Sequence, residues 1–461
     1  MALEDHIIND CSLGGICGGC FYCVNGGEQS RKSKGTESPA KNAITIEEQC
    51  AIKSEHVHAL LDEAVAPYGY EYRYEGIIPS PLTFGYRNKM EYSFGDCVKN
   101  GPLTLGLHQK KSFYNVIDVD SCRLVHNDFN LVVKCVADYF RETGLTYHDK
   151  RSHFGYLRYL IIRRAVNTGE MLIDLVTTSQ PLIKVANHRE ICELSLYDRE
   201  AHALGRIEAA DGVETLDERT VLEEFKDRLL KLSATDAFAG TIKGILHTVN
   251  DTLSDAVRND GTAVFCGEDH ISEELLGLKF RISPFSFFQT NSKGAEVLYS
   301  KVREYIADEL KPDMTLFDLY SGTGTIAQML APSVAKVTGV EIVAEAVEAA
   351  KENAAANGLT NCSFIADDVL KALDSLPSPD VIILDPPRDG VNPKALRKII
   401  DYGVEHMIYV SCKPESLARD MAMLQESGYR LIRATAVDQF PWTKNVETVA
   451  LMSRVSVEQS T

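Results

Sequence analysis

From about Asp313 onward, short apolar runs alternate with helical patterns, and this alternation restricts the second part of the chain to a sheet covered by helices on both faces. The runs span 315–320, 336–341, 361–365, 380–385, 405–411, 429–437 and 446–454. Helical patterns fill the gaps between the first six, which therefore predict parallel strands. Nothing helical separates the last two, which predict a hairpin at one edge. The fold class is α/β and Rossmann-like, and sheets of this kind bind ligands in the crevice beyond the carboxyl ends of their strands.

Chemistry-bearing residues fall at those strand ends. TLFDLYSGTGTIA (315–327) reads as strand, glycine turn and helix start, and Gly322 and Gly324 allow backbone to approach a cofactor closely. The next strand, VTGVE, ends in Glu341, where an acid can accept hydrogen bonds from both ribose hydroxyls. Together they predict an adenosine site. VIILDPPRDGV (381–391) ends its strand in Asp385, and two prolines make the following loop stiff and poor in amide donors. YVSCKP (409–414) places Cys412 on a strand-to-helix turn, where the positive end of a helix eases thiolate formation. Cysteine is also a common core residue, so the neighbouring motifs decide its reading.

Upstream, 71–288 reads as short alternating strands: 86–95, 102–109, 113–119, 159–166 and 171–178, with a hairpin turn at 167–170. An acidic helical run from 207 to 232 reads as a surface insertion. Arg87, Lys89, Lys110, Lys111, Arg158, Arg163 and Arg164 are either solvated strand faces or a basic surface for phosphates. Thr45, followed by Glu47 and Glu48, predicts a helix to about Ala66. Before it, Cys11, Cys17, Cys20 and Cys23 crowd a glycine-rich segment with little to bury, which implies a metal ion or an iron-sulfur cluster without deciding between them.

At 461 residues the chain exceeds one core and predicts two or three domains. It has no apolar run long enough to cross a bilayer and no signal pattern at MALEDHIIND, so a cytoplasmic protein is expected. In that reducing setting the 12 cysteines are not expected to form disulfides. A net charge of -18 argues against broad nonspecific nucleic-acid binding and leaves room for a local basic site.

The ordered set FFQTN, DLYSGTGT, GVE, LDPPR, SCKP and FPWTKNVETVALM resembles the uracil-5-methyltransferases of ribosomal and transfer RNA, which use S-adenosylmethionine. The resemblance covers the second part of the chain and RNKMEYSFG in the middle. It implies a class I methyltransferase domain at 296–461, a β-rich RNA-binding domain at 46–295, and a cysteine segment with linker at 1–45. It also implies Cys412 as the nucleophile that adds to carbon 6 of uracil and Glu447 as the base. Gln289, Tyr320, Glu341 and Asp385 are implied to contact S-adenosylmethionine or orient the base. In the iron-sulfur members of the family, three N-terminal cysteines and a distant one hold a [4Fe-4S] cluster; Cys11, Cys17, Cys20 and Cys122 match them, leaving Cys23 spare. Because the transfer-RNA members usually lack the cluster, the substrate implied is 23S ribosomal RNA, with transfer RNA as the alternative and a catalytically inactive, cluster-bearing RNA-binding factor as a reading of another class. No obligate protein partner and no membrane are implied. Three departures stand out: many members open with a small β-barrel whereas this sequence starts almost at the cysteines, so that either some RNA affinity comes from elsewhere or the start lies upstream; Lys413 stands where asparagine is usual; and the run at 207–232 is extra.

Overall fold

The computed structural model describes residues 11–14, 16–17, 19–21, 44–99, 101–185 and 214–455. Its large C-terminal sheet contains, in chain order, β1 (Arg73–Ile78), β11 (Thr315–Leu319), β12 (Lys336–Glu341), β13 (Cys362–Ala366), β14 (Val381–Leu384), β15 (His406–Ser411), β16 (Tyr429–Val437) and β17 (Glu447–Arg454). Their spatial order is β1-β16-β17-β15-β14-β11-β12-β13. All neighbours are parallel except the two pairs that involve β17. The expected hairpin forms, but β17 folds back between β15 and β16, and the edge is taken by β1.

Alternation along the strands explains the two cores. Leu316, Ile383, Ile408 and Val410 face one side and join Leu298 and Val302 of the helix Ser292–Ile306. Phe317, Leu319, Ile382, Leu384, Met407 and Tyr409 face the other and join the helices Ile46–Val65, Pro393–Asp401 and Pro414–Glu426.

The helix Ile46–Val65 opens with the expected capping box between Thr45 and Glu48. Its buried stripe Val57, Leu61 and Val65 packs into the C-terminal core, and β1 after it pairs with β16. Residues 46–78, which the sequence places in the middle domain, thus complete the C-terminal sheet. Their short-range pattern gave no indication of so distant a partner.

The middle sheet contains β2 (Lys89–Asp96), β3 (Leu103–His108), β4 (Val116–Asp118), β5 (Leu157–Arg164), β6 (Glu170–Thr177), β7 (Thr241–Val249) and β8 (Gly261–Gly267), ordered β4-β3-β2-β5-β6-β7-β8. Every pair is antiparallel except β6 with β7, whose connection carries the helix Glu218–Ser233. A small hairpin of β9 (Ile271–Leu275) and β10 (Leu278–Ile282) leads out of this domain toward the C-terminal one. Among the described residues no helix is long and apolar enough to cross a membrane.

The run read as a surface insertion is corrected by its own apolar spacing. Val221, Leu222, Phe225 and Leu229 recur at helical intervals and are buried against Phe129, Val133 and Phe140 of the helix Asn127–Thr143. Its acids lie outside this stripe, Glu218 and Glu224 accepting hydrogen bonds from the buried Tyr156 and Tyr139 hydroxyls, and 207–213 lie outside the described residues. Leu229→Ala should therefore cost about 3 kcal/mol in a urea titration, as expected for a filled core position, whereas Leu230→Ala, at a residue 37% exposed, should cost less than about 1.

Candidate active site

A cavity opens at the carboxyl ends of β11 and β14. Gln289, Tyr320 and Asp385, three of the expected cofactor residues, line it together with Phe287, Asp318 and Ser321. Glu341 stands directly behind the glycine turn. One of its carboxylate oxygens accepts the Gly322 amide at 3.1 Å and the other the Val343 amide at 3.0 Å, which fixes the carboxylate where β12 ends.

The two turn glycines serve different ends. Gly322 lines the cavity with φ +52°. Gly324, at φ +71°, is forced by packing, because a Cβ there would come within 2.5 Å of the Phe364 ring. Only the first fits the expectation of close approach to a cofactor. Tyr320 precedes the turn with φ 66°, uncommon for a side chain of its size.

Buried carboxylates dominate the electrostatics. Burial pushes Asp318 up to about 8, with the Asp385 charge adding to the shift. Burial alone pushes Asp385 up to about 7. Glu447 is pushed up to about 8, first by burial and then by Asp385, against a downward pull from Arg388. Asp318 accepts the Ala327 amide at 2.9 Å through Oδ2, while its Oδ1 and the Ser321 hydroxyl are buried with no hydrogen-bond partner among the described residues. A cationic cofactor that brings an ammonium donor would satisfy both the charge and the orphaned acceptor. S-adenosylmethionine has that character, and the residues present fit it.

Strand pairing brings the expected nucleophile and base together. Ser411 at the end of β15 is opposite Thr448 of β17, so Cys412 and Glu447 are the next positions along the two strands. Both fall within electrostatic range of Asp385. The loop before Glu447 is fixed from beneath: buried Asp438 takes an ion pair from Lys53 at 2.6 Å and a hydrogen bond from Gln49, and the Trp442 ring nitrogen donates to the Thr83 carbonyl.

The sequence expectation for the thiol needs correction. Cys412 does sit on a strand-to-helix turn, ahead of the helix starting at Pro414, but its thiol is held above the ordinary range. Burial raises it most, and then Glu447 and Asp385 raise it further. The Arg388 guanidinium, which also donates to Asn445 at 2.7 Å, pulls the thiol back down. Sequence reading gave no role to Arg388, Asp318 or Ser321. Only Asp318 carried a signal, as a lone acid inside the apolar strand LFDL.

The N-terminal thiols line a second cavity, formed by Cys11, Cys17, Cys20 and Cys122 with Leu13, Val119 and Leu124. None of the four is in a disulfide, and the Gly19 amide donates to Cys17 Sγ at 3.2 Å. Among the described residues no group of three or more His, Cys, Asp or Glu is placed to hold a metal ion. Cys23 lies outside the described residues. Most of the basic side chains first considered for phosphate are engaged otherwise. Arg158 is buried on the carbonyls of Asn250, Thr252 and Ser254, Arg163 on those of Pro284 and Ser286, and Arg164 and Lys89 pair with Asp128 and Glu91. Arg163 thereby ties the middle sheet to the loop that carries Gln289.

A pH test follows from Asp318. A carboxyl whose folded value is raised to about 8 binds protons that the unfolded chain, near 3.8, has already released. The contribution of this carboxyl to stability is therefore full below about pH 4 and is lost as pH rises from there through about 8. Asp318→Asn should match the parent in acid and exceed it by on the order of 3 kcal/mol at pH 9 in urea titrations, while weakening S-adenosylhomocysteine binding roughly tenfold or more in calorimetry.

Comparison with known proteins agrees with this geometry. A sequence profile described as tRNA (uracil-5-)-methyltransferase matches residues 250–455. An uncharacterized RNA methyltransferase of Clostridium acetobutylicum is 41% identical over 441 residues, covering 95% of this chain and 82% of that protein. Another, from Caldanaerobacter subterraneus subsp. tengcongensis, is 41% identical over 450 residues, covering 97% and 85%. The crystal structure of Pyrococcus abyssi tRNA (uracil-54, C5)-methyltransferase in complex with S-adenosyl-L-homocysteine superposes with a TM-score of 0.65 at 23% identity, covering 96% of this chain and 86% of that one, a likeness of fold. With relatives this similar along nearly its whole length, the chain belongs to the RNA uracil-5-methyltransferase family.

Proposed function

We propose that this protein transfers a methyl group from S-adenosylmethionine to carbon 5 of a uridine in 23S ribosomal RNA through a covalent adduct on Cys412. The observation that carries the reading is the strand register that sets Cys412 opposite Glu447 beside Asp385.

Carbon 5 of uracil is a weak nucleophile. The Cys412 thiolate adds to carbon 6, and the electron pair of the 5,6 double bond moves to make carbon 5 nucleophilic. Bound S-adenosylmethionine supplies the electrophilic methyl group. After transfer, Glu447 takes the proton from carbon 5, the double bond re-forms, and Cys412 leaves as thiolate. Arg388 favours the thiolate in both the first and last steps. A carboxylate raised to about 8 is a strong enough base for this step near neutral pH. Asp385 orients the uracil against the donor, Gln289 and Tyr320 hold the cofactor, and Glu341 holds its ribose. The target must leave its stack to enter the crevice, and Phe287, 66% exposed at the cavity mouth, is placed to stack on it.

The same reading gives Cys11, Cys17, Cys20 and Cys122 a [4Fe-4S] cluster. The family resemblance carries this assignment: the four thiols line one cavity, no three of the described residues are placed to hold a metal ion, and the Gly19 amide on Cys17 Sγ would stabilise a ligated thiolate. A transfer RNA substrate is the second reading, favoured by the description of the matching profile; the cysteine set favours ribosomal RNA.

With labelled S-adenosylmethionine and separate RNA pools, label should enter ribosomal RNA; label confined to the transfer RNA pool overturns that choice. Cys412→Ala should abolish methylation, whereas Glu447→Gln should accumulate a protein-RNA adduct that survives denaturing electrophoresis. The single-turnover rate of the parent should climb with pH up to about 8 as Glu447 ionises. Protein purified without oxygen should be brown and hold about four iron atoms per chain. A colourless, zinc-bearing protein would remove the cluster from the proposal.

A further inference from the structure

A chain of contacts between cations and exposed aromatic rings leads outward from Cys412. Arg388, beside Cys412, donates to Asn445 at 2.7 Å. Next in sequence, Lys444 lies over the Phe21 ring, 3.9 Å from its centroid. Phe21 follows Cys20 directly, and its amide donates to the Trp442 carbonyl at 2.7 Å. On the other side, Lys110 reaches the same ring at 5.9 Å, and its amide donates to the Ile16 carbonyl at 2.7 Å. The Lys110 turn then presents Phe113 and Tyr114, 60% and 48% exposed, with Lys150 and Arg151 each 4.3 Å from one of the rings.

We propose that this line, from Cys412 over Phe21 to Phe113 and Tyr114, is the track for the single-stranded RNA that flanks the target uridine. The proposal rests on the RNA methyltransferase reading and adds where the substrate strand runs. Three features favour RNA as the occupant. In a chain of net charge -18, cations gathered against exposed rings select a polyanion. Lys110, Lys444 and Arg151 make no ion pair among the described residues, and Lys150, by contrast, is paired with Asp255 at 2.6 Å. Rings interleaved with cations are what bases and phosphates need together, because every base has a face to stack while the backbone requires positive charge. The line is also continuous with the catalytic pocket.

This placement gives the cysteine segment a substrate-facing role. The cysteine cavity holds the backbone on which Phe21 stands, so the segment presents a ring that neither the middle nor the C-terminal domain supplies.

The test uses a labelled, uridine-containing single-stranded RNA of about 20 nucleotides in anisotropy titrations, with methylation kinetics on the same strand. Phe113→Ala combined with Tyr114→Ala, and separately Phe21→Ala, should raise both Kd and KM roughly tenfold while kcat at saturating RNA and S-adenosylhomocysteine affinity hold. Lys110→Gln combined with Lys444→Gln should reduce the slope of log K against log salt by about one to two. Unchanged Kd and salt slope in all of these variants would overturn the track. The same result with a purified protein shown to need Phe113 and Tyr114 would assign the surface to protein docking and overturn it too. A parent that binds the strand but methylates no RNA would instead refute the function proposed above, an outcome visible without any variant.

Discussion

The reversal of one strand is the constraint on which the proposed chemistry depends. In a wholly parallel sheet the carboxyl end of each strand would face the crevice, and an amino-terminal strand residue could not stand beside Cys412. Because β17 runs against its neighbours, its first residue, Glu447, arrives where β15 delivers its last. Two side chains from opposite strand ends thus meet without either sitting on a long loop. The approach to β17 is held by the Lys53–Asp438 pair, both side chains almost wholly buried. Such a pair adds little net stability but is costly to break, which suits a part that must hold a position.

The second theme is charge held in reserve. Asp318, Asp385 and Glu447 share a desolvated region, and each is driven upward chiefly by burial. A site with unsatisfied acid groups favours a positively charged visitor, and its arrival would pull the carboxyls back toward ionisation. The raised Cys412 thiol belongs to the same system, since two of those acids contribute to the shift. In the proposed reaction, cofactor binding and the readiness of the Cys412 thiol would be coupled through this shared field, with Arg388 as the opposing charge.

Much of this was legible in the chain. The strands after residue 313 fall within a residue or so of their expected limits, because buried strands separated by amphipathic helices leave two distinct periodicities. Asp385 was singled out at a strand end and Gln289 and Tyr320 through the family resemblance, and all three line one cavity. What escaped was long-range or hidden in apolar context. The pairing of β1 with β16 leaves no local mark, and the burial of Leu229 was masked by the acids around it. Arg158 and Arg163 read as surface because sequence does not show a cation capped by carbonyls. The thiol shift was misjudged because a helix terminus is visible in sequence and two acids brought near by folding are not.

That same edge pairing bears on how the protein is made. Lys53 and Asp438 are 385 positions apart, and β1 finds its partner only in β16. During synthesis the first helix and strand therefore emerge with an apolar face and an open edge, and must wait for the last hairpin before either is covered. The middle domain, whose strands pair mostly with near neighbours, can fold in the interval. The catalytic face is then the last region to close, and a chain halted shortly before Tyr429 would expose its aggregation-prone edge while possessing nearly every other element.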